Sequence, residues 1–359
     1  MRVVISAGGT GGHINPALAI IDKIKEKEPN SEFLYIGTTN RMEKDIIPKK
    51  NIPYIGIEIS GLKRKLTLKN ISSITKFLKA IKICKKEIKK FNPDIVIGAG
   101  GYVTAPVIYA AKKCGYKTLI HEQNSILGLS NKILLKYTDT LCTSFEDMKI
   151  DGVNLVYTGN PCSESAINKK PFDKKDFGLS KNKKLVLIVM GSLGSSSVSK
   201  ILEESIDKFS SDKYEVLIVT GKDYYENYSK LKKSSNVFIF PYIDDLVRLI
   251  KVSDLVVTRS GATTLCELIA CNTPSILIPS PYVTENHQYK NALTLEKRNA
   301  AIIIEEKKLN SKVLIDSINN LISSPEKLRN MKNELAKIDV SNSTTLIYNE
   351  IEKLVKNKK

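Results

Sequence analysis

Along this chain, short unbroken runs of apolar, mostly β-branched residues alternate with longer amphipathic stretches almost from end to end. In the first half the runs of strand length are residues 2–7, 32–37, 54–59, 94–98, 117–121, 140–143 and 155–158. In the second half they are residues 184–191, 214–220, 236–240, 255–258, 274–278 and 300–304. A strand with one wet face alternates apolar and polar residues. A run that is apolar at every position is buried on both faces, as in a parallel sheet covered by helices. Two successive strand–helix series therefore predict an α/β chain with two doubly wound, Rossmann-like parallel-sheet domains.

The length, 359 residues, agrees with two domains of ordinary size. The reading places them at residues 1–160 and 184–340. Residues 161–183 are polar and lysine-rich, as a linker would be. The tail, 341–359, reads as a last amphipathic helix with Leu346, Ile347, Ile351 and Leu354 on one side, suited to packing back on the first domain.

Composition narrows the class further. With 42% hydrophobic and 26% charged residues, the chain has the proportions of a soluble globular protein. No run of about 18 apolar residues occurs, so no spanning helix is expected. The N-terminus lacks the apolar core and cleavage site of a signal peptide, which points to the cytoplasm. The six cysteines form no C-x-x-C pair and fit reduced, buried side chains. The charge stands out: 56 Lys and Arg against 38 Asp and Glu give +18. Residues 62–90 concentrate it, with eleven basic residues against the single acid Glu87. Ile74, Phe77, Leu78, Ile81, Cys84 and Ile88 fall on one helical face of the same segment. A dense basic cluster beside an apolar helix suits anionic lipid headgroups. Nucleic acid is not expected, because few aromatic residues interleave the lysines for base stacking.

Candidate chemistry sits at the ends of the runs. The first leads straight into Gly8-Gly9-Thr10-Gly11-Gly12-His13, with a helix expected from near Pro16. Glycines at a strand-to-helix turn let backbone N–H groups approach a phosphate or sugar. A dinucleotide fingerprint would need glycine where Ile14 stands and an acid after the second run, which ends Tyr35-Ile36-Gly37-Thr38. The dehydrogenase reading fails both tests. A second glycine turn, Gly98-Ala99-Gly100-Gly101-Tyr102, follows the fourth run, and His121-Glu122-Gln123-Asn124 follows the fifth. Ligands of open α/β sheets bind at the carboxyl ends of the strands, where these loops converge. The three histidines, His13, His121 and His287, all lie at strand ends or in polar loops, so at least two are expected to act in the site.

The second half repeats the pattern. Gly191-Ser192-Leu193-Gly194-Ser195 is a small-residue turn onto a helix. Thr258-Arg259-Ser260-Gly261-Ala262-Thr263-Thr264 leads into another, with Glu267 on it. Ser260 or Thr263 can cap that helix, Thr264 and Glu267 have the spacing of a capping box, and its positive end can face a diphosphate. No Asp-x-Asp pair occurs, so neither a metal nor a cofactor is implied.

Taken together, GGTGGHINPALAI, GAGGYVTAP, HEQNSILGLSNK, TGNP, MGSLGS, YIDD, TRSGATTLCEL and TENHQYKNA resemble, in order and over nearly the whole chain, the MurG family. Its members are UDP-GlcNAc:undecaprenyl-diphospho-muramoylpentapeptide N-acetylglucosaminyltransferases. The resemblance implies the GT-B architecture with the active site in an interdomain cleft, and transfer of GlcNAc, with inversion, from UDP-GlcNAc to the lipid-linked muramoylpentapeptide acceptor. It implies His13 as the base and Thr10, Gly11 and Gly12 beside the donor sugar. Asn124 and Gln288 would contact GlcNAc. Ser192 with Ala262, Thr263 and Thr264 would hold the diphosphate, Ile243 the uracil and Glu267 the ribose. Gly100, Gly101 and Tyr102 would face the acceptor diphosphate. Many members carry an arginine just after the GNP motif, where Cys162-Ser163-Glu164 stands here. Ser163 could supply a hydroxyl to the donor there, though not a charge. Peripheral attachment to the cytoplasmic face of the membrane, among anionic inner-leaflet lipids, follows from the same likeness and the basic segment. A diacylglycerol glycolipid transferase and a UDP-GlcNAc epimerase share the architecture and are the competing readings.

Overall fold

The computed structural model describes residues 1–60, 68–190, 196–209 and 211–357. It divides into two compact units, one of Met1–Glu164 with Asn342–Lys359, the other of Ser165–Ser341.

The first unit is built on seven strands: β1 (Arg2–Ser6), β2 (Glu32–Thr38), β3 (Tyr54–Ile57), β4 (Ile95–Gly98), β5 (Lys117–Glu122), β6 (Thr140–Thr143) and β7 (Asn154–Tyr157). All pairings are parallel, in the order β3-β2-β1-β4-β5-β6-β7. The helices around this sheet are α1 (Gly11–Lys27), α2 (Glu43–Ile46), α3 (Leu68–Phe91), α4 (Thr104–Lys113) and α5 (Leu129–Leu134). β1 shows why its sequence is apolar throughout. Val3 and Ile5 pack into a layer shared with α1, while Val4 faces the opposite layer with Ala80, Cys84 and Ile88 of α3. Neither face meets water, so an alternating pattern has no reason to arise.

The second unit repeats the plan with β8 (Lys184–Val189), β9 (Tyr214–Val219), β10 (Val237–Phe240), β11 (Leu255–Thr258), β12 (Ser275–Leu277) and β13 (Ala301–Ile303). Their order is β10-β9-β8-β11-β12-β13, again all parallel. In chain order from the division, the helices are α6 (Pro161–Asn168), α7 (Ser196–Glu203), α8 (Lys222–Ser229), α9 (Leu246–Ile250), α10 (Ala262–Ala270), α11 (His287–Glu296), α12 (Ser311–Ile322) and α13 (Pro325–Ala336), after which α14 (Ser343–Lys356) belongs to the first unit. The division falls inside α6. All thirteen expected strands are present, each within three residues of its expected ends.

The segment expected as a linker is folded instead. After α6 it makes a 3-10 turn over Lys174–Phe177. Phe177 packs edge-on against Phe172 and Phe240, with ring centroids 5.2 and 5.5 Å apart, and Leu179 is buried. Lys251 Nζ donates to the carbonyls of Ile167 and Lys169, both at 2.6 Å, closing the C-terminal end of α6. Its anchoring apolar residues stand singly among lysines, so average polarity conceals them. The apolar stripe of α3 is covered along only part of its length. Cys84 and Ile88 are buried, but Ile74 and Leu78 are 50% and 60% exposed.

The C-terminal α14 lies against α1, with Ile347 and Ile351 in the shared core. Its start is held by Glu164, which accepts from Thr344 N (2.9 Å), Thr344 Oγ1 (2.5 Å) and Thr345 N (3.2 Å) and pairs with Lys23 Nζ at 2.7 Å. Burial opposes ionisation of Glu164, but Lys23, the Thr344 hydroxyl and the Thr345 amide outweigh it and hold the carboxyl below its ordinary value. Replacing Glu164 with alanine is expected to destabilise the first unit by about 2 kcal/mol in urea unfolding. A carboxyl with a lowered folded-state pKa contributes fully above its unfolded value, near 4.5, and loses its contribution as pH falls through the folded one. The gap between native and Glu164→Ala stability should therefore shrink below pH 4.5. A gap that stays constant down to pH 3 would refute the ionic account.

Candidate active site

In both sheets the strand order reverses beside the first strand of the unit, between β1 and β4 and between β8 and β11. Connections leave such a point on opposite faces of the sheet and open a crevice at its carboxyl edge. The glycine turns after β1 and β4 meet there, joined by Gly8 N donating to Gly100 O at 3.2 Å.

The helix expected from Pro16 begins earlier. His13 N and Ile14 N both donate to Thr10 O at 3.1 Å, so α1 starts at Gly11 and His13 lies in its first turn. His13 is half-buried, and its Nδ1 lies 3.0 Å from Gly8 O. A carbonyl only accepts, so Nδ1 carries the proton and the neutral ring keeps its lone pair on Nε2. Gly100 backs onto this ring: a Cβ there would come within 2.4 Å of His13 Cδ2. Gly101, at φ +89°, leaves the same small clearance to Gly8 O. Thr104 fixes the turn, its N donating to Gly101 O and its Oγ1 to Gly100 O. Tyr102 projects outward and is largely exposed, as is Thr10. His13, Gly11, Gly12, Gly100 and Gly101 are thus gathered at one edge.

The HEQN string mostly faces inward. Glu122, buried, accepts from Asn124 N, Asn124 Nδ2, Gly128 N and Asn131 Nδ2 at 2.8–3.1 Å. Gln123 Nε2 donates to Ala99 O, tying this loop to the second glycine turn. His121, expected among the acting histidines, is fully buried with Nε2 3.0 Å from Gly159 O. Burial pushes its ring down to about 4, against the opposing pull of the Gly159 carbonyl. It is a neutral internal strut. His287 lies with Nδ1 2.9 Å from Thr284 O, at the start of α11. Asn124 remains half-buried at the rim, whereas Ser163 is fully buried, and a ligand could reach its hydroxyl only if its neighbours gave way.

In the second unit, the turn after β11 opens α10, whose N-cap is Gly261 with no side-chain cap. The expected cap and capping box do not form there. Ser260 Oγ donates instead to Gln288 O at 2.8 Å, and Gln288 Oε1 accepts from Ser280 N at 2.8 Å. Gln288 is thereby tied to Ser260, in the turn that leads into Ala262, Thr263 and Thr264. Arg259, in the same turn, donates to Ile278 O at 3.0 Å and pairs with Glu306 at 2.7 Å. Glu267 lies half-buried on α10, and burial pushes its carboxyl up to about 7, with Lys169 opposing and Asp245 adding to the shift. Ile243, half-buried, follows β10. Ser192 lies outside the described residues. Among the described residues, no three His, Cys, Asp or Glu side chains cluster as a metal site.

Two structural acids escaped the sequence reading. Glu122 was visible inside a motif but carried no assigned role. Glu43, fully buried, lies in Arg41-Met42-Glu43-Lys44, where nothing in the polar context marks it as internal.

Comparison with known proteins agrees with this layout. Residues 3–143 match the glycosyltransferase family 28 N-terminal domain, and residues 185–346 match the family 28 C-terminal domain. A UDP-N-acetylglucosamine–N-acetylmuramyl-(pentapeptide) pyrophosphoryl-undecaprenol N-acetylglucosamine transferase of Bacillus cereus is 44% identical over 363 residues, covering 99% of this chain and 100% of that protein. The Bacillus pumilus protein of the same name is 42% identical, covering 99% of each. The crystal structure of Acinetobacter baumannii MurG superposes with a TM-score of 0.80 at 26% identity, covering 98% of this chain and 99% of that one. A UDP-GlcNAc 2-epimerase from Neisseria meningitidis shares the fold at a TM-score of 0.66 and 14% identity, covering 98% of this chain and all of that one. With two Rossmann-like units of GT-B type and near full-length likeness to these transferases, the chain belongs to glycosyltransferase family 28 and, within it, to the MurG family.

Proposed function

We propose that this chain transfers N-acetylglucosamine from UDP-GlcNAc to the 4-hydroxyl of muramoylpentapeptide on undecaprenyl diphosphate, a step of peptidoglycan synthesis, with inversion at the anomeric carbon. The observation that carries this reading is the contact between His13 Nδ1 and Gly8 O, which makes Nε2 the basic nitrogen at the strand-order reversal. Nε2 takes the acceptor hydroxyl's proton as that oxygen bonds to C1 of GlcNAc. The bond from C1 to the diphosphate breaks, and UDP leaves with its charge.

The remaining assignments are those that the likeness to the MurG family implies. Thr10, Gly11 and Gly12 lie beside the donor sugar, which Asn124 and Gln288 contact. The uncapped start of α10, at Ala262, Thr263 and Thr264, offers backbone N–H groups and a positive dipole end to the diphosphate. Ser192 completes that cradle, Ile243 holds uracil and Glu267 accepts from the ribose hydroxyls. Ser163 is a donor contact only if its burial is relieved. Gly100, Gly101 and Tyr102 face the acceptor diphosphate. The deciding experiment incubates radiolabelled UDP-GlcNAc with a short-chain lipid-linked muramoylpentapeptide and looks for the disaccharide. Free sugar released without acceptor would favour an epimerase instead.

A lipid-linked acceptor also requires access to a membrane surface. No helix among the described residues is long and apolar enough to span one. α3 supplies a peripheral contact: Ile74 and Leu78 are exposed on it among Lys79, Lys82, Lys86 and Lys89, all exposed. Anionic lipids at the cytoplasmic face are the partner this combination suits.

Substitution His13→Ala is expected to lower turnover at least about 100-fold with little change in UDP affinity, because a base acts in the chemical step. Equal loss of UDP affinity in calorimetry would make His13 a donor contact instead.

Glu267 must be ionised to accept two ribose hydroxyls, and its free carboxyl is pushed up to about 7. UDP affinity should therefore fall by up to about tenfold per pH unit below 7, with proton release on binding. In Glu267→Ala, binding weakens by roughly 1.5–3 kcal/mol and this pH dependence disappears. A flat affinity between pH 5.5 and 8 in the native protein would overturn the ribose assignment.

Replacing Lys82, Lys85, Lys86 and Lys89 with glutamine should reduce binding to anionic vesicles by orders of magnitude at low salt, at about 1 kcal/mol per lysine. Native binding should weaken as the Debye length shortens towards about 8 Å at physiological ionic strength. Activity on a water-soluble acceptor should survive in the variant, and unchanged vesicle binding would reduce α3 to a solvated helix.

A further inference from the structure

Glu43 opens the short α2, yet its side chain is fully buried beneath the first glycine turn. No lysine or arginine among the described residues pairs with it. Its partners are donors from the ends of two strands. Oε1 accepts from Thr38 N at 3.0 Å and Thr38 Oγ1 at 2.6 Å, and Oε2 accepts from Gly9 N at 3.1 Å. With donors on both oxygens, the carboxylate is fixed in place.

Gly9 N–H and Gly8 C=O are the two ends of a single peptide group. That group is planar and trans, so its N–H and C=O point in opposite directions. Glu43 holds the N–H end at 3.1 Å, and His13 Nδ1 lies 3.0 Å from the carbonyl end. The peptide cannot tilt freely, because Gly8 N is tied to Gly100 O and Gly101 backs onto Gly8 O. Gly8 also admits no side chain, since a Cβ would lie 2.4 Å from Glu43 Oε1. A carboxylate bonded to one end of an amide polarises it and makes the carbonyl at the other end a stronger acceptor.

We infer that Glu43 is a positioning residue for the transfer reaction, acting on His13 through the Gly8-Gly9 peptide. The carboxylate, the peptide and the imidazole form a relay. It fixes the tautomer with Nε2 as the base and stabilises the imidazolium once Nε2 has taken the acceptor's proton. No bond other than that to the proton changes within it.

The test uses the full chain and Glu43→Gln. The amide oxygen is best placed against the two Thr38 donors, which turns the –NH2 towards Gly9 N–H, donor against donor. The peptide then loses its hold on His13. Turnover is expected to fall about 10- to 100-fold, with the KM for UDP-GlcNAc changed less than about twofold. The acidic limb of the kcat–pH profile should move to lower pH, because the imidazolium is less stabilised. In a His13→Ala background the same substitution should change residual turnover less than about twofold, since the relay has lost its far end. A merely structural acid would give equal losses in both backgrounds and an unmoved pH profile, and that outcome overturns the inference. Should Glu43→Gln fail to fold, Thr38→Val, which removes only the hydroxyl donor, completes the same cycle. Its loss must then vanish without His13, and a persisting loss overturns the inference equally. The relay rests on His13 as the base. If His13→Ala keeps full turnover, that reading falls first, whereas a large His13→Ala loss with additive Glu43→Gln loss defeats the relay alone.

Discussion

Close approach of two backbone turns at the point where strand order reverses is the constraint on which the first unit's chemistry depends. β1 and β4 are neighbours in register, Ser6 opposite Gly98, so the chain leaving each has to turn within a few ångströms of the other. Gly101 passes so near Gly8 O that it tolerates no Cβ, and Gly8 is denied one by the Glu43 carboxyl beneath it. Glycine there is a condition of assembly before it is a condition of ligand binding. The same closeness brings Gly8 O to the imidazole of His13 and leaves the strand ends' backbone groups unpaired by the sheet, in need of partners.

Glutamates, buried or half-buried, supply partners of this kind. Glu43, Glu122 and Glu164 each accept two or more hydrogen bonds, and each takes at least one from a backbone N–H beyond its own element. A carboxylate offers two oxygens and about four acceptor sites, so one side chain can gather donors from segments that neither helix nor sheet geometry aligns. Glu122 sets the loop carrying Asn124, and Glu164 fixes α14 to α1 through Lys23. The groups facing the crevice can then be small or neutral, because acids behind them do the holding.

This division of labour explains what was legible in the sequence. Strands buried on both faces produce unbroken apolar runs, and the glycine turns at their ends are short strings with few other causes, so the strands, their parallel sheets, the turn positions and the family were all readable. Side-chain direction was not. His121 stands in the same polar context as Asn124 three residues later, yet one faces the core and the other the rim, because β5 extends one residue further than its apolar run and carries Glu122 inward. The stripe on α3 did not reveal that Ile74 and Leu78 stay exposed, since periodicity reports which residues share a face and not what covers it. Glu43 leaves no periodic trace, being a lone acid whose partners are mostly backbone groups.

Arg259 shows where local reasoning about charge fails. It stands in the turn whose helix was expected to face a diphosphate, yet its guanidinium is nearly buried and engaged by Ile278 O and Glu306. On the proposed reading the diphosphate's charge falls to the start of α10, where the helix presents about half a positive charge and its first N–H groups. An arginine side chain must be ordered around each charge it meets, whereas backbone donors in a helix tied down through Ser260 and Gln288 are already oriented. Stabilisation of charge that develops only as the bond breaks is most effective when its donors need no rearrangement at that moment. On that reading Arg259 contributes by fixing the turn, and the turn supplies the field.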